Sequence, residues 1–202
     1  MLPRALPAIG LAALVAFAAP GALARDCAVE AVEGEDVRAW SAGAWSALRP
    51  GQSLAPEAKV ATGAGSRVKI ACDDGIVVTV GSASEVNLEA LTTPGDSVIV
   101  QLIDGIVGLF APERVRRFEV RTPLAIASVR STGWLVEHDA DEGSAVFVRA
   151  GAVAVAARSG GRFRLAPGEG ITITPDGVPG EVKTWGPPRI ARSTEALGFD
   201  WR

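Results

Sequence analysis

Residues 67–80 read RVKIACDDGIVVTV, and this stretch decides the class of fold. Val68, Ile70 and Cys72 alternate with charged or small residues, which is the pattern of a strand with one buried face. An Asp-Gly pair at residues 74–75 then suits a tight turn with positive φ, and a second apolar run follows it. The stretch therefore predicts a β-hairpin in which Cys72 points inward.

The same two features recur along the chain. Alternating apolar and polar residues predict further strands near residues 84–89, 98–102, 117–121, 134–136, 162–165 and 171–174. Asp-Gly pairs at 104–105 and 176–177, together with several Pro-Gly pairs, predict turns between strands. Since no helical segments alternate with these strands, the sequence predicts a single all-β domain of short antiparallel strands. A sandwich, a jelly-roll-like arrangement and a β-roll all satisfy this pattern.

The composition restricts the classes of partner and cofactor. The chain has 202 residues with 20 Lys and Arg against 23 Asp and Glu, a formal charge of −3. Nucleic-acid-binding proteins usually carry a basic excess, so no nucleic-acid partner is expected. One His and two distant Cys are too few for most zinc sites. The sequence predicts neither a metal site nor a cofactor.

The first 24 residues have the pattern of a secretory signal peptide. Arg4 supplies a positive start, residues 8–19 are apolar, and Ala22-Leu23-Ala24 is a cleavage signature. An uncleaved membrane anchor is the alternative. No later run is long and apolar enough for a second span, so a protein without a membrane span after cleavage is expected. We therefore expect a periplasmic or secreted protein.

The expected organisation has three parts. Residues 1–24 are the signal peptide, residues 25–178 the β domain, and residues 179–202 a C-terminal extension that contains Pro and Gly. Within the extension, residues 190–199 form either one short helix or a frayed tail.

The two cysteines are candidates for a disulfide. Cys27 and Cys72 form an even pair in a chain expected to enter an oxidising compartment, and both fall on the inward parity of their strands. Two separate buried thiols are the alternative. The chain has no C-x-x-C pair, which argues against a redox enzyme.

Several segments, in order, carry a resemblance to a known family. They are WSALRPGQ at 45–52, VATGAGSRV at 60–68, DGIVVTVG at 74–81, SEVNL at 84–88, FEVRTP at 118–123, VRST at 129–132, AGAV at 150–153 and PGEG at 167–170. Together they resemble FecR-type domains, named after the ferric-citrate regulator, over most of residues 29–175. One departure is Ser131 before Thr132, where the family usually has Gly.

The resemblance implies a scaffold without a catalytic apparatus. Family members in iron-uptake regulation combine a cytoplasmic sigma-factor-binding segment, one membrane helix and a periplasmic FecR domain. This chain resembles the last part alone, which implies a stand-alone exported domain without the cytoplasmic anti-sigma segment.

The residues themselves show little catalytic pattern. His138 and Asp139 are adjacent, but no G-x-S-x-G elbow accompanies them, and His138 is expected at the surface or in a turn. Asp139, Asp141 and Glu142 lack the full pattern of a calcium loop, so an exposed turn is expected. A glycosidase pair of carboxylates elsewhere in the chain is the remaining enzymatic alternative. We predict a protein that is not an enzyme.

Two residue sets are candidates for partner contact. Arg114, Arg116, Arg117 and Arg121 form a basic run that suits an anionic partner or, alternatively, a solvated strand face. The five tryptophans divide by position. Trp45 and Trp134, in the family-like segments, are expected in the core, whereas Trp185 and Trp201 near the C-terminus are candidate partner contacts.

The sequence thus predicts a non-enzymatic, exported, FecR-like binding or scaffolding module at the bacterial cell envelope. The expected partner is an envelope protein or a glycan. One alternative is a periplasmic sensor that passes a signal to a separate membrane regulator. Another is a glycan-binding or carbohydrate-active protein.

Overall fold

The structure, a computed structural model, describes residues 26–55, 58–88, 91, 97–112, 117–129, 132–199 and 201. The strands in this part of the chain are β1 (Cys27–Glu33), β2 (Val37–Ser41), β3 (Ala44–Ala47), β4 (Lys59–Thr62), β5 (Arg67–Cys72), β6 (Val77–Val80), β7 (Ser84–Asn87), β8 (Ser97–Ala111), β9 (Arg117–Arg121), β10 (Ala125–Val129), β11 (Thr132–Asp139), β12 (Gly143–Ala150), β13 (Val153–Ala157), β14 (Arg162–Leu165), β15 (Glu169–Ile173) and β16 (Lys183–Thr184). One helix, α1 (Pro187–Leu197), follows them. The all-β prediction is confirmed.

The strands form two sheets that share β8. Sheet I has the order β1-β5-β6-β8-β11-β12-β15-β16, and sheet II has the order β3-β2-β4-β7-β8-β9-β10-β13-β14. Neighbouring strands in these two orders are antiparallel except β8 and β9, which are parallel. The predicted hairpin is β5–β6, with Gly75 at φ 82° in its turn.

Strand β8 passes from one sheet to the other near Gly105. Its N-terminal part pairs with β7 and β9 in sheet II, and its C-terminal part pairs with β6 and β11 in sheet I. Gly105 has φ +88°, and a Cβ there would lie 2.6 Å from the Ala83 carbonyl oxygen. The predicted turn at 104–105 is therefore wrong: the glycine redirects a continuous strand between two sheets.

The inner faces of the two sheets enclose one hydrophobic core. Phe118 of β9 and Trp134 of β11 are fully buried and meet edge to face, with ring centroids 5.9 Å apart. The alternating residues Val68 and Ile70 also point into this core, as their spacing predicts. The expectation that Trp134 lies in the core is confirmed.

Helix α1 packs on part of the outer face of sheet I. Of the two forms expected for residues 190–199, the structure has the helix. It begins with Pro187 and Pro188 in its first turn, where the missing amide donors cost nothing, and ends at Gly198 with φ 65°. Leu197 is fully buried in a second core on this face. The chain after residue 178 forms a strand and a helix that pack on sheet I.

No helix in the described ranges has the length and hydropathy that a membrane span requires.

Candidate functional site

A groove of about 700 Å³ lies between α1 and the end of sheet I where β11 and β12 meet. Its charged lining residues are Asp104, Glu137, Asp139, Glu142, Arg189 and Arg192. His138 and Ser144 also line it. This combination of an imidazole, a hydroxyl and carboxylates is the nearest approach to a catalytic arrangement in the described structure.

His138 is buried, contrary to the expectation of a surface or turn residue. The residue is 7% exposed because β11 continues to Asp139 and directs this side chain inward. Nδ1 lies 3.1 Å from the Gly143 carbonyl oxygen and 2.9 Å from Ser144 Oγ. A carbonyl oxygen only accepts, so a hydrogen bond to Gly143 requires the tautomer that carries its proton on Nδ1. In that state Nδ1 does not act as a base toward the Ser144 hydroxyl.

Ser144 is held in a buried hydrogen-bond chain. Ser144 is 1% exposed, and its Oγ lies 2.8 Å from Oγ1 of Thr122, which directly follows β9 of sheet II. Thr122 in turn accepts from the amide of Ala125 at 2.9 Å. These hydrogen bonds therefore connect the two sheets, and the Ser144 hydroxyl is not exposed as a nucleophile would need to be.

The charged groups deeper in the groove attach the helix to the sheet. Ser193 Oγ donates to Glu137 Oε1 at 2.5 Å, and Arg189 Nη2 lies 3.7 Å from Glu137 Oε2. The Arg189 guanidinium lies 3.8 Å from the centroid of the Trp185 ring, and that ring stacks on Phe147 at 4.8 Å. These groups contact one another across the interface between α1 and sheet I, so they stabilise the packing of the helix on the sheet.

In the acidic turn after β11, a carboxylate accepts hydrogen bonds from the backbone amides of the same turn. Asp139 Oδ1 accepts from the amides of Asp141 and Glu142 at 2.7 and 3.0 Å. Among the residues that the structure describes, no group of three or more His, Cys, Asp or Glu side chains is placed to hold a metal ion.

Cys27 and Cys72 face each other directly across β1 and β5. Their sulfur atoms are bonded in the structure. Both residues are buried, at 1% and 8% exposure. That the exported protein carries this bond in its native compartment stays a prediction.

The predicted basic run is only partly described. Arg114 and Arg116 lie outside the described residues, and Arg117 is described by its backbone in β9 alone. Arg121 donates from Nε and Nη2 to Glu119 Oε2 at 3.1 and 2.8 Å. Glu119 is 3% exposed, and a buried carboxylate requires such a partner. An anionic-partner role for this run stays a prediction.

The tryptophans near the termini differ from their expected places. Trp185, expected to be accessible, is 6% exposed and belongs to the second core, and a partner contact by this residue stays a prediction. Trp201 is half-buried beside Gly108, with the Arg149 guanidinium 5.8 Å from its ring. Trp45, expected in the core, is 43% exposed because β3 is the edge strand of sheet II.

The outer face of sheet II carries a row of side chains that sequence reasoning missed. At one edge, Trp45 pairs with Trp40, Trp40 with Lys59, Lys59 with Asn87, and Asn87 with Gln101. Directly paired residues share one face of a sheet, so these side chains lie side by side. Trp40 and Trp45 contact edge to face at 5.7 Å.

The row continues to the other edge of the sheet. Gln101 pairs with Arg121, Arg121 with Ile126, Ile126 with Ala156, and Ala156 with Arg162 on the edge strand β14. Each of these side chains is at least partly exposed. We call the nine residues from Trp45 to Arg162 the cross-strand row. The alternation showed which residues share a face, but the strand order that aligns them is not contained in it.

The central part of the two sheets matches a known protein family. The family model described as "FecR protein" matches residues 58–154. These residues belong to the FecR family. Comparison with curated proteins gives no match.

Solved structures share the FecR fold of this chain. Two crystal structures of a candidate anti-sigma factor from Parabacteroides distasonis, at 2.50 and 1.65 Å resolution, are similar to it. Their identities to this chain are 24% and 23%, and their TM-scores are 0.55 and 0.57. Each alignment covers 66% of this chain and 62% of the solved chain. This likeness shows a common fold.

The FecR match runs from the start of β4 into β13 and so contains the centre of both sheets. Both ends of the cross-strand row, Trp45 and Arg162, lie outside the FecR match, as does α1. The matched segment thus leaves out both edge strands of sheet II and the helix on sheet I.

Proposed function

We propose that this FecR-type chain is an exported, non-enzymatic binding or scaffolding module at the bacterial cell envelope. The observation that carries the proposal is the difference between the two outer sheet faces. In sheet I, α1 covers part of the outer face, whereas the cross-strand row of sheet II exposes Trp45, Lys59 and Arg162 without such a helix over it in the described structure. Exposed tryptophan and arginine are the residues that most often dominate binding energy at interfaces.

The groove beneath α1 supports a binding role over catalysis. Its serine is buried, the Nδ1 atom of its histidine also contacts the Gly143 carbonyl oxygen, and Glu137 interacts with Ser193 and Arg189. A nucleophile needs a neighbouring base and access to substrate. Within the described residues the His138–Ser144 pair provides neither.

Export supports the envelope as the site of action. The signal-like residues 1–24, with a cleavage signature before Arg25, favour a periplasmic or secreted protein. The pair Cys27 and Cys72 suits such an oxidising compartment.

The proposal is tested by expressing the full chain with a C-terminal tag in a Gram-negative host. We expect the tagged protein outside the cytoplasm with Arg25 as its first residue, and we expect chemical cross-linking to retain it with envelope material. An intact Met1 in the cytoplasmic fraction would contradict export. A released, uncross-linked protein would contradict the scaffolding role.

Membership of the FecR family favours a second candidate function, that of a sensor which passes a signal to a separate membrane regulator. Mass spectrometry of the cross-linked material separates the two. A membrane regulator as the main product supports the sensor, and a structural envelope component supports the scaffold.

A further inference from the structure

We propose that the cross-strand row is a binding track for an anionic polysaccharide, of the class built from uronic acid units. The inference rests on the proposed function, since it names the class of partner that the binding module would hold.

The shape of the row suits an extended polymer. The row crosses nine strands from β3 to β14, and neighbouring strands lie about 4.8 Å apart, so its length is about 38 Å along the twisted sheet. Its members between the two ends include Gln101, Ile126 and Ala156, which are uncharged and partly or fully exposed. A protein partner usually anchors large side chains in pockets, whereas a polysaccharide spreads many weak contacts along a shallow surface.

The charge on this face opposes that of the whole chain. Lys59 and Arg162 lie in the row, and Arg164 on β14 lies beside it, all exposed. In the described part of the chain none of these three has an ion-pair partner within 4.0 Å. Acidic side chains on this face include Glu85, Asp104 paired with it, and Glu119, and Arg121 forms an ion pair with Glu119. In a chain of formal charge −3, this local basic excess favours a polyanion.

The edge at β3 offers aromatic contacts that sugars use. Trp45 is 43% exposed, Trp40 lies 5.7 Å from it, and the Arg38 guanidinium lies 5.4 Å from the Trp45 centroid. Sugar rings present C–H faces that pack on indole, while the guanidinium beside the ring binds a carboxylate of the same unit. Aromatic and basic groups at one end, followed by basic groups along the row, therefore match an acidic sugar chain better than a neutral one.

The test measures binding of purified protein, as processed by the expression host, to polygalacturonate. Dextran serves as the neutral polysaccharide and polyglutamate as the acidic polypeptide. We expect polygalacturonate to bind at low salt and to be released as ionic strength rises, because exposed charge contacts are screened. Dextran and polyglutamate are expected to bind at least about tenfold more weakly.

Paired variants locate the track. Arg162→Gln with Arg164→Gln is expected to weaken polygalacturonate binding about tenfold, and Trp45→Ala to weaken it severalfold. Arg192→Gln, on exposed α1, removes one charge from the other side of the molecule and should leave binding unchanged. Circular dichroism checks that each variant is folded.

Three results would overturn the inference: no binding of polygalacturonate, equal binding of polyglutamate, or equal loss in Arg192→Gln. Because this assay uses purified protein, its failure is distinct from a failure of export or envelope retention. A chain retained at the envelope that ignores polygalacturonate would refute the track and leave the proposed function standing.

Discussion

Arg67 Nε donates a 2.9 Å hydrogen bond to the carbonyl oxygen of Ala196, and this bond joins strand β5 to the C-terminal end of helix α1. Nη2 of the same guanidinium donates to the Glu195 carbonyl at 2.9 Å. The last carbonyls of a helix lack intrahelical donors and carry partial negative charge, so a cation there stabilises the helix end. Residues 129 positions apart thereby fix the cover over sheet I.

Arg67→Ala should loosen this cover. We expect faster amide hydrogen exchange in α1 and a loss of about 1–2 kcal/mol in the free energy of unfolding, because two charge-assisted bonds disappear. Lys69→Ala is the matched control on the same strand, since it removes only an exposed ion pair with Glu30. Equal effects of the two variants would contradict the role of Arg67 in holding the helix.

Gly170→Ala tests whether Trp185 is a structural anchor. A Cβ at Gly170 would lie 2.2 Å from Trp185 Nε1 and 2.7 Å from the Val146 carbonyl oxygen, so the indole would have to leave its place on Phe147. We expect a loss of about 1–3 kcal/mol, measured by urea unfolding with tryptophan fluorescence.

Gly186→Ala is the control for that variant, because the nearest atom to its added Cβ lies 3.8 Å away. A near-neutral Gly170→Ala would mean that Trp185 is free to move, as a partner contact requires.

Trp134 should tolerate phenylalanine better than alanine. Its ring is fully buried against Phe118, and in the described structure its Nε1 has no hydrogen-bond partner. Trp134→Phe removes that unpaired donor and keeps most of the aromatic contact, so thermal unfolding should show a cost well below the about 3–5 kcal/mol expected for Trp134→Ala. Similar costs for the two variants would contradict the packing described across the core.

The Cys27–Cys72 bond should stabilise the exported protein. It closes a long loop, with a sequence separation of 45, for which chain entropy alone gives about 4 kcal/mol. Maleimide labelling of native periplasmic protein without reductant should detect no free thiol. Reductant should then lower the urea midpoint, and two labelled thiols or an unchanged midpoint would show that the cysteines do not act as a bridge.

The alternation of side chains predicted much of the fold, because burial on one face of a strand is a local property. Val68 and Ile70 point into the core as their period requires. The Asp-Gly pair at 104–105 misled, because the same backbone freedom serves a turn or a redirected strand, and only the pairing of β8 with both sheets decides between them.

The functional surface was less predictable, because the alternation of side chains along a strand does not reveal which sheet has its outer face covered by another element. For this reason Trp185, expected to be accessible, is buried where α1 packs on sheet I. Trp45, expected in the core, is exposed on β3, which is an edge strand of sheet II. His138 was equally hidden, since its burial depends on β12 returning beside β11. The cross-strand row follows from strand order, which local sequence does not specify.

The most direct test of the uncovered face of sheet II is photo-cross-linking in living cells, with a photo-reactive residue at position 45, 162 or 192. Positions 45 and 162 end the cross-strand row, and position 192 lies on α1 at the opposite side. We predict envelope adducts from the first two positions and none from the third. Adducts from position 192 alone would place the partner on the helix and contradict the account.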